Sequence, residues 1–182
     1  MTKFMEKTLI LVKPDGVARG LTGQIISRFE RTGLKLIALK MVHATVEQIS
    51  THYGENPEWI KGMGGKTLEN YEKQGIDPAS VFGTSDPLAI GKEIRQWLVS
   101  WMASGPIVAA VFEGNDAVEI GTKLAGHTLP VYAAPGTIRG DFSIESAALA
   151  NAQKRPIQNT VHISGNPDDA KHEVSHWFPD LK

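Results

Sequence analysis

The 182 residues are 41% hydrophobic and 21% charged, which suits one globular domain with a sizeable core. A formal net charge of −1 leaves no polybasic footprint for a nucleic acid, although a local cluster of Lys and Arg can still hold a small anion. The chain has no cysteine, which excludes a disulfide framework, a thiolate metal site and a cysteine nucleophile, and is compatible with a reducing compartment.

Met1 to Lys7 carries charge without an apolar h-region, so no secretory signal is expected. No apolar run approaches the roughly 18–20 residues needed to span a bilayer. The expectation is a cytoplasmic protein with neither a membrane nor a nucleic acid as partner.

Thr8 to Val12 is a short apolar run, expected as a buried strand. Lys13-Pro14-Asp15-Gly16 breaks it, because proline fixes φ and glycine permits a turn. Leu21, Ile25, Ile26 and Phe29 recur at helical spacing, with Gly33 as the stop. Leu34 to Val42 reads as a second strand and Val46 to Tyr53 as a short helix. From about Gly62 to Trp101 the chain turns rich in glycine and charge. Two helical patterns there, Lys66 to Gln74 and Pro87 to Trp101, predict a helical insertion or a lid. Ile107 to Phe112 is a third strand, followed by a helix capped by Asn115 and running to about Leu124. Ile157 to Ile163 makes a fourth strand. The last helix opens with Asn166 as cap, Pro167 in the first turn, and Asp168 and Asp169 on the dipole. This order predicts an α+β fold, a ferredoxin-like split βαβ sheet with packed helices. The expected organisation is a single domain over 1–182 with a helical insertion at 62–101.

The chemistry concentrates in Asn159-Thr160-Val161-His162-Ile163-Ser164, with Glu173 eleven positions after the histidine. A strand fixes the backbone of His162, and a returning helix can bring a carboxylate to its ring. One nitrogen is then held while the other attacks, which suits a nucleophilic imidazole. At about 100° per residue, Ala170, Val174 and Trp177 form the apolar stripe of the last helix. Glu173 sits on the flank of that stripe, where a half-buried carboxylate needs a partner.

Two more segments complete the pattern: Val12-Lys13-Pro14-Asp15-Gly16-Val17-Ala18-Arg19-Gly20 and Pro135-Gly136-Thr137-Ile138-Arg139-Gly140-Asp141. The three together, in this chain order, resemble the nucleoside diphosphate kinase family over about Thr8 to Tyr53 and Ser104 to Phe178. The resemblance implies a ferredoxin-like fold assembled as a homo-oligomer. It implies transfer of the γ-phosphoryl group of a nucleoside triphosphate to a nucleoside diphosphate through a phosphohistidine. Mg²⁺ would travel on the nucleotide phosphates, with no separate protein metal site.

The same resemblance makes His162 the phosphorylated residue and Glu173 the residue that orients it. Lys13 and Arg139 become phosphate-binding cations, Lys13 also serving the transfer itself. Thr128 becomes a hydroxyl donor to phosphate, Asn159 a sugar contact, and Ser164 a nucleotide-site residue close to the histidine. Tyr53 falls near the catalytic centre, and Trp59 is the candidate base-stacking aromatic, at a shorter spacing than usual and with a packing role as its rival. The chain departs from the family at Thr122, where an arginine that reaches phosphate is usual, and at Gly165, where an acidic residue is common. The insertion is expected to cover the nucleotide site and supply the cation that Thr122 lacks. A second lengthening falls around Ala147 to Arg155.

Two other classes stay open. His172-Glu173-Val174-Ser175-His176 matches the His-Glu-x-x-His helix of a small zinc metallopeptidase, although both histidines fall opposite the apolar stripe. A family member that binds nucleotide or scaffolds an assembly without turnover is kept open by Thr122 and Gly165. Gly65-Lys66-Thr67 resembles the end of a P-loop but lacks the leading strand and reads as a polar helix start.

Overall fold

The computed structural model describes residues 5–181. The chain runs β1 (Met5–Val12), α1 (Pro14–Ala18), α2 (Thr22–Glu30), β2 (Lys35–His43), α3 (Val46–Tyr53), α4 (Pro57–Gln74), α5 (Ala79–Phe82) and α6 (Pro87–Met102). It continues with β3 (Pro106–Asn115), α7 (Ala117–Ala125), a 3-10 turn (Pro130–Tyr132), α8 (Ile138–Phe142), α9 (Ala147–Ala152), β4 (Val161–Ile163) and α10 (Pro167–Trp177). These elements gather into two units. One holds the residues through His43, Gly105–Ile144 and the chain from Gln158, and the other holds Ala44–Ser104 with Glu145–Ile157.

The first unit is built on a four-stranded sheet in the order β2-β3-β1-β4, antiparallel throughout. This is the split βαβ, ferredoxin-like arrangement that the element order predicts. The two central strands are buried over their length, Thr8 to Val12 on β1 and Ile107 to Phe112 on β3, which is why both read as continuous apolar runs. Ile10, Val12, Val108, Ala110 and Phe112 pack with Ile25 and Phe29 of α2 and with Ala117 and Ala125 of α7. On α10 the stripe of Ala170, Val174 and Trp177 is buried, and the helix lies against β1. A buried side chain of this size stabilises by about 1.5–3 kcal/mol, so Trp177 anchors α10 and fixes where Glu173 sits.

The second unit is helical. Its α4 and α6 pack together through two glycines that admit backbone: a Cβ on Gly64 would lie 1.9 Å from the Pro87 carbonyl oxygen, and one on Gly91 2.0 Å from that of Ile60. Arg95 on α6 ties α3 down by donating to the Gly54 carbonyl at 2.7 Å and the Ser50 carbonyl at 3.0 Å. Tyr71, Phe82 and Trp97 form a run of ring contacts at 6.1 and 5.8 Å between centroids. No helix among the described residues is long and apolar enough to cross a membrane.

The departures from the sequence reading have physical causes. The helix after β3 is capped by Asp116, not Asn115, with Asp116 in the left-handed region at φ 48°. Asn115 ends β3 and turns its amide to the Asp116 carboxylate. The fourth strand is only Val161–Ile163, because Thr160 stands at φ 62° and breaks the extended path that Ile157 to Ile163 was expected to follow. Helix α4 starts at Pro57, capped by the Asn56 side chain, nine residues before Lys66. Of its glycines Gly64 is a packing position, while a Cβ on Gly62 or Gly65 would meet nothing within 4 Å, and Gly65-Lys66-Thr67 lies in the helix interior and not at a helix start. The Pro135 to Asp141 loop contains α8, capped by Thr137, and the lengthening near Ala147 is α9, capped by Ser146.

Candidate active site

The site grows from the register of the sheet. On β4, His162 pairs with Leu11 and Val161 with Val12. Directly opposed residues share a face, so the His162 ring stands on the Leu11 face, over which α10 returns. The His162 Nε2 lies 2.9 Å from Glu173 Oε1. Ser164 Oγ donates to the other carboxylate oxygen at 2.5 Å and accepts the Leu9 N–H at 3.1 Å. Glu173 is 7% exposed and Ser164 is fully buried, so both carboxylate oxygens are held on the strand. A carboxylate can only accept, so Nε2 carries the proton and the lone pair of the neutral ring lies on Nδ1.

Two cations lie at the same strand end. Lys13 follows β1 directly, and its Nζ donates to Asn159 Oδ1 at 2.7 Å. The Asn159 Nδ2 donates to the Thr128 carbonyl at 2.8 Å, so the amide is fixed from both sides. Arg139, on α8, donates to the Gly126 carbonyl at 2.7 Å and to the carbonyl of Val161, one residue before the histidine, at 2.9 Å. Both cations are buried, at 6% and 7% exposure. Burial first, then the Arg139 charge, pull the Lys13 ammonium down to about 7, while the Asp15 carboxylate opposes the shift. Burial and the repulsion between Lys13 and Arg139 disfavour charge here, and an anion beside the pair would offset both.

The loop that delivers Arg139 is held within the same unit. The Asp141 carboxylate accepts the Gly136 N–H at 2.8 Å and pairs with Arg28 at 2.5 Å, and Arg28 also lies over the Phe142 ring. The N–H of Gly136 and the Arg28 guanidinium hold the Asp141 carboxyl below its usual range.

Of the residues expected at the site, the structure brings together His162, Glu173, Ser164, Lys13, Asn159 and Arg139, with the Thr128 carbonyl. The Thr128 side chain is exposed. Thr122 turns its hydroxyl back to the Glu119 carbonyl of its own helix. Tyr53 and Trp59 belong to the second unit, where their rings stack at 6.1 Å and Trp59 is 41% exposed. The zinc-helix match dissolves: Glu173 is committed to His162 and Ser164. The rings of His172 and His176 stack at 6.4 Å, and neither joins a group of three potential metal ligands among the described residues.

Two residues without an assigned role prove central to this geometry. Asp15 Oδ2 accepts the Thr160 N–H at 3.0 Å, and the Lys13 N–H donates to the Thr160 carbonyl at 2.8 Å. Lys13-Pro14-Asp15-Gly16 signals a turn, but nothing local shows that its partner lies 145 positions onward.

Comparison with known proteins agrees with this arrangement. The family model described as nucleoside diphosphate kinase matches residues 6–60 and 89–182. The chain is 52% identical over 174 residues to a nucleoside diphosphate kinase of Pyrobaculum aerophilum, covering 96% of this chain and 95% of that one. It is 37% identical over 178 residues to that of Saccharomyces cerevisiae, covering 98% and 88%. Among solved structures it is similar to an NDP kinase from Pyrobaculum aerophilum, with TM-score 0.92 and 49% identity over 97% of each chain. It is also similar to a nucleoside-diphosphate kinase from Borrelia burgdorferi solved as a transition state mimic with bound vanadate and ADP. There the TM-score is 0.77 and the identity 35%, covering 98% of this chain and 90% of that one.

Proposed function

Because this chain belongs to the nucleoside diphosphate kinase family, we propose that His162 takes the γ-phosphoryl group of a nucleoside triphosphate onto its ring and passes it to a nucleoside diphosphate. The chain is a phosphotransferase. In the first half-reaction the Nδ1 lone pair of His162 forms a bond to the γ-phosphorus while the bond to the bridging oxygen breaks, and the nucleoside diphosphate leaves with that electron pair. In the second, a terminal oxygen of the acceptor diphosphate attacks the phosphohistidine and Nδ1 recovers its lone pair. The observation that carries this reading is the His162 Nε2 to Glu173 Oε1 contact of 2.9 Å, with Ser164 on the second oxygen. It fixes the tautomer, aims the ring, and stabilises the charge that grows on the imidazole as Nδ1 bonds to phosphorus.

Lys13 and Arg139 stabilise charge on the transferring oxygens, where buried cations act more strongly than exposed ones. The Thr128 hydroxyl donates to phosphate. Asn159, with one N–H and one lone pair left over from its two bonds, contacts the sugar. Ser164 serves the site from behind Glu173, and Tyr53 and Trp59 are the aromatics assigned to the nucleotide. Mg²⁺ arrives on the phosphates as part of the substrate. Lys13 and Arg139 are the groups this reading offers to those phosphates.

The edge strand β2 exposes Leu39 at 52% and Met41 at 64%. An apolar edge of this kind supports assembly as a homo-oligomer, which light scattering of the purified chain would test. A chain without cysteine suits a reducing cytoplasm.

The deciding experiment incubates the protein with γ-labelled ATP and Mg²⁺, follows acid-labile label on the chain, then adds GDP, with His162→Ala alongside. Label that forms, moves to GDP and is absent from the variant establishes the reaction and its nucleophile. ATP binding without label would assign the chain to non-catalytic members of the family.

A further inference from the structure

We propose that Asp15 is a positioning residue for phosphoryl transfer: its carboxylate clamps the strained turn at Thr160 and so sets Asn159, Lys13 and the His162 strand in one fixed register. This rests on the phosphotransfer reading above.

Thr160 is a β-branched residue held at φ 62°, a conformation such residues rarely adopt. Strain of this kind persists only where the surroundings over-determine it, and here they come from one short segment. Asp15 Oδ2 accepts the Thr160 N–H at 3.0 Å, and the Lys13 N–H meets the Thr160 carbonyl at 2.8 Å. Gly16 lies so close that a Cβ there would sit 3.0 Å from the same carbonyl. Both backbone groups of Thr160 are thus gripped by Lys13-Pro14-Asp15-Gly16. Thr160 itself is fully buried, and its hydroxyl donates to the Asn159 carbonyl at 2.8 Å.

The turn is where the chain changes from one task to another. On its upstream side Asn159 holds the Lys13 ammonium, and on its downstream side Val161 accepts Arg139 and leads into His162. If the turn relaxed into an extended path, Asn159 and His162 would shift relative to the two cations. Asp15 touches none of the reacting atoms, and it acts through this turn.

A purely structural side chain would do nothing to charge, but Asp15 does. Two charged groups face the Lys13 ammonium, Arg139 from α8 and Asp15 from α1, and their effects oppose each other. Burial and Arg139 disfavour the protonated amine, and the Asp15 carboxylate favours it. The same carboxylate therefore fixes the register and opposes, in part, the loss of the Lys13 proton that burial and Arg139 favour.

The test measures single-turnover phosphoenzyme formation from γ-labelled ATP and Mg²⁺ across pH 6 to 9, with melting temperatures, for wild type, Asp15→Asn and Asp15→Ala. Each Asp15 form is also made with Thr160→Gly, since glycine adopts φ 62° without strain. Asp15→Ala should slow transfer by about tenfold or more, on the scale of strain stored at one residue. Asp15→Asn keeps an oxygen for the Thr160 N–H and should recover most of that rate below pH 7. Its alkaline limb should move to lower pH, because the charge supporting Lys13 is gone. With Thr160→Gly, the effect of Asp15→Ala should shrink, the coupling expected if the carboxylate acts through the turn. Wild-type rates and an unshifted pH profile in both Asp15 variants would overturn the proposal, as would an Asp15→Ala effect undiminished beside Thr160→Gly. Absence of label in the wild type would overturn the phosphotransfer reading itself, and this proposal with it.

Discussion

Nucleotide binding should carry protons into the site, and Lys13 sets how many. Its ammonium is drawn down to about 7 by burial and by Arg139. One pH unit above that value, about one tenth of the free protein carries the proton, and one unit below, about nine tenths. A phosphate beside the amine supplies the missing counter-charge and restores full protonation. Binding at pH 8 should therefore take up about 0.9 proton per site through Lys13, and at pH 6 about 0.1. The Lys13 share of the affinity should weaken about tenfold per pH unit above 7. The assay is calorimetric titration with ADP and Mg²⁺ in buffers of different ionisation enthalpy, where proton uptake appears as the slope of the observed heat. Lys13→Arg stays charged throughout, so subtracting its slope removes proton exchange by the nucleotide and by other groups. A buffer-independent heat at pH 8, or an equal slope in Lys13→Arg, would refute the reasoning.

The same residue gives a stability prediction with a definite sign. Between about 7 and the ordinary 10.5, the folded chain binds fewer protons at Lys13 than the unfolded chain, so ligand-free stability rises with pH across that window. Lys13→Met removes this dependence; urea unfolding should show its advantage over wild type fully developed below pH 7 and smaller by about 3 kcal/mol at pH 9. Glu173→Ala leaves the His162 Nε2–H and the Ser164 hydroxyl without their acceptor, and should slow phosphoenzyme formation about thirty- to hundredfold while changing ADP affinity less than about threefold. Equal losses in both quantities would remove the orienting role. In the second unit, Gly64→Ala drives a methyl onto the Pro87 carbonyl and should cost about 3 kcal/mol by thermal or urea unfolding. Gly62→Ala on the same helix meets no atom within 4 Å and should be neutral or mildly stabilising, so equal effects of the two would refute the packing argument.

What was legible in the sequence was what is decided locally. Central strands buried on both faces announce themselves as apolar runs, and α3 came out at its observed bounds because Thr45 caps it and Gly54 stops it. His162 and Glu173 are eleven residues apart on adjacent elements, so helical geometry alone places the carboxylate beside the ring. The rest of the site is not local. Lys13 meets Asn159 across 146 positions and Asp15 meets Thr160 across 145, and no periodicity or spacing records such pairs. Those pairings also explain the shortened β4, since a fully extended Ile157 to Ile163 would forfeit the turn that joins them. The start of α4 at Pro57, ahead of the expected Lys66, is non-local for a related reason. Gly64 weakens the helix locally, and its value lies in the approach of α6 to that face.

The way the cations are satisfied says why this pocket is suited to an anion that comes and goes. Lys13 donates to an amide oxygen, and the terminal nitrogens of Arg139 donate to two carbonyls. Dipoles orient these side chains, and in a region of low dielectric the charge they carry, or regain when a phosphate binds, acts strongly. Had a carboxylate bonded Lys13 directly, a phosphate would have to displace it, and the gain on binding would be smaller by the loss of that pair. Asp15 stands one step away, its Oδ2 bonded to the Thr160 N–H, and supports the ammonium through space. Glu173 follows the same logic on the other side of the chemistry: its oxygens are committed to His162 and Ser164, so its charge acts on the ring and does not compete for the cations. Each acid in the site is thus tied by its own hydrogen bonds to a part of the frame.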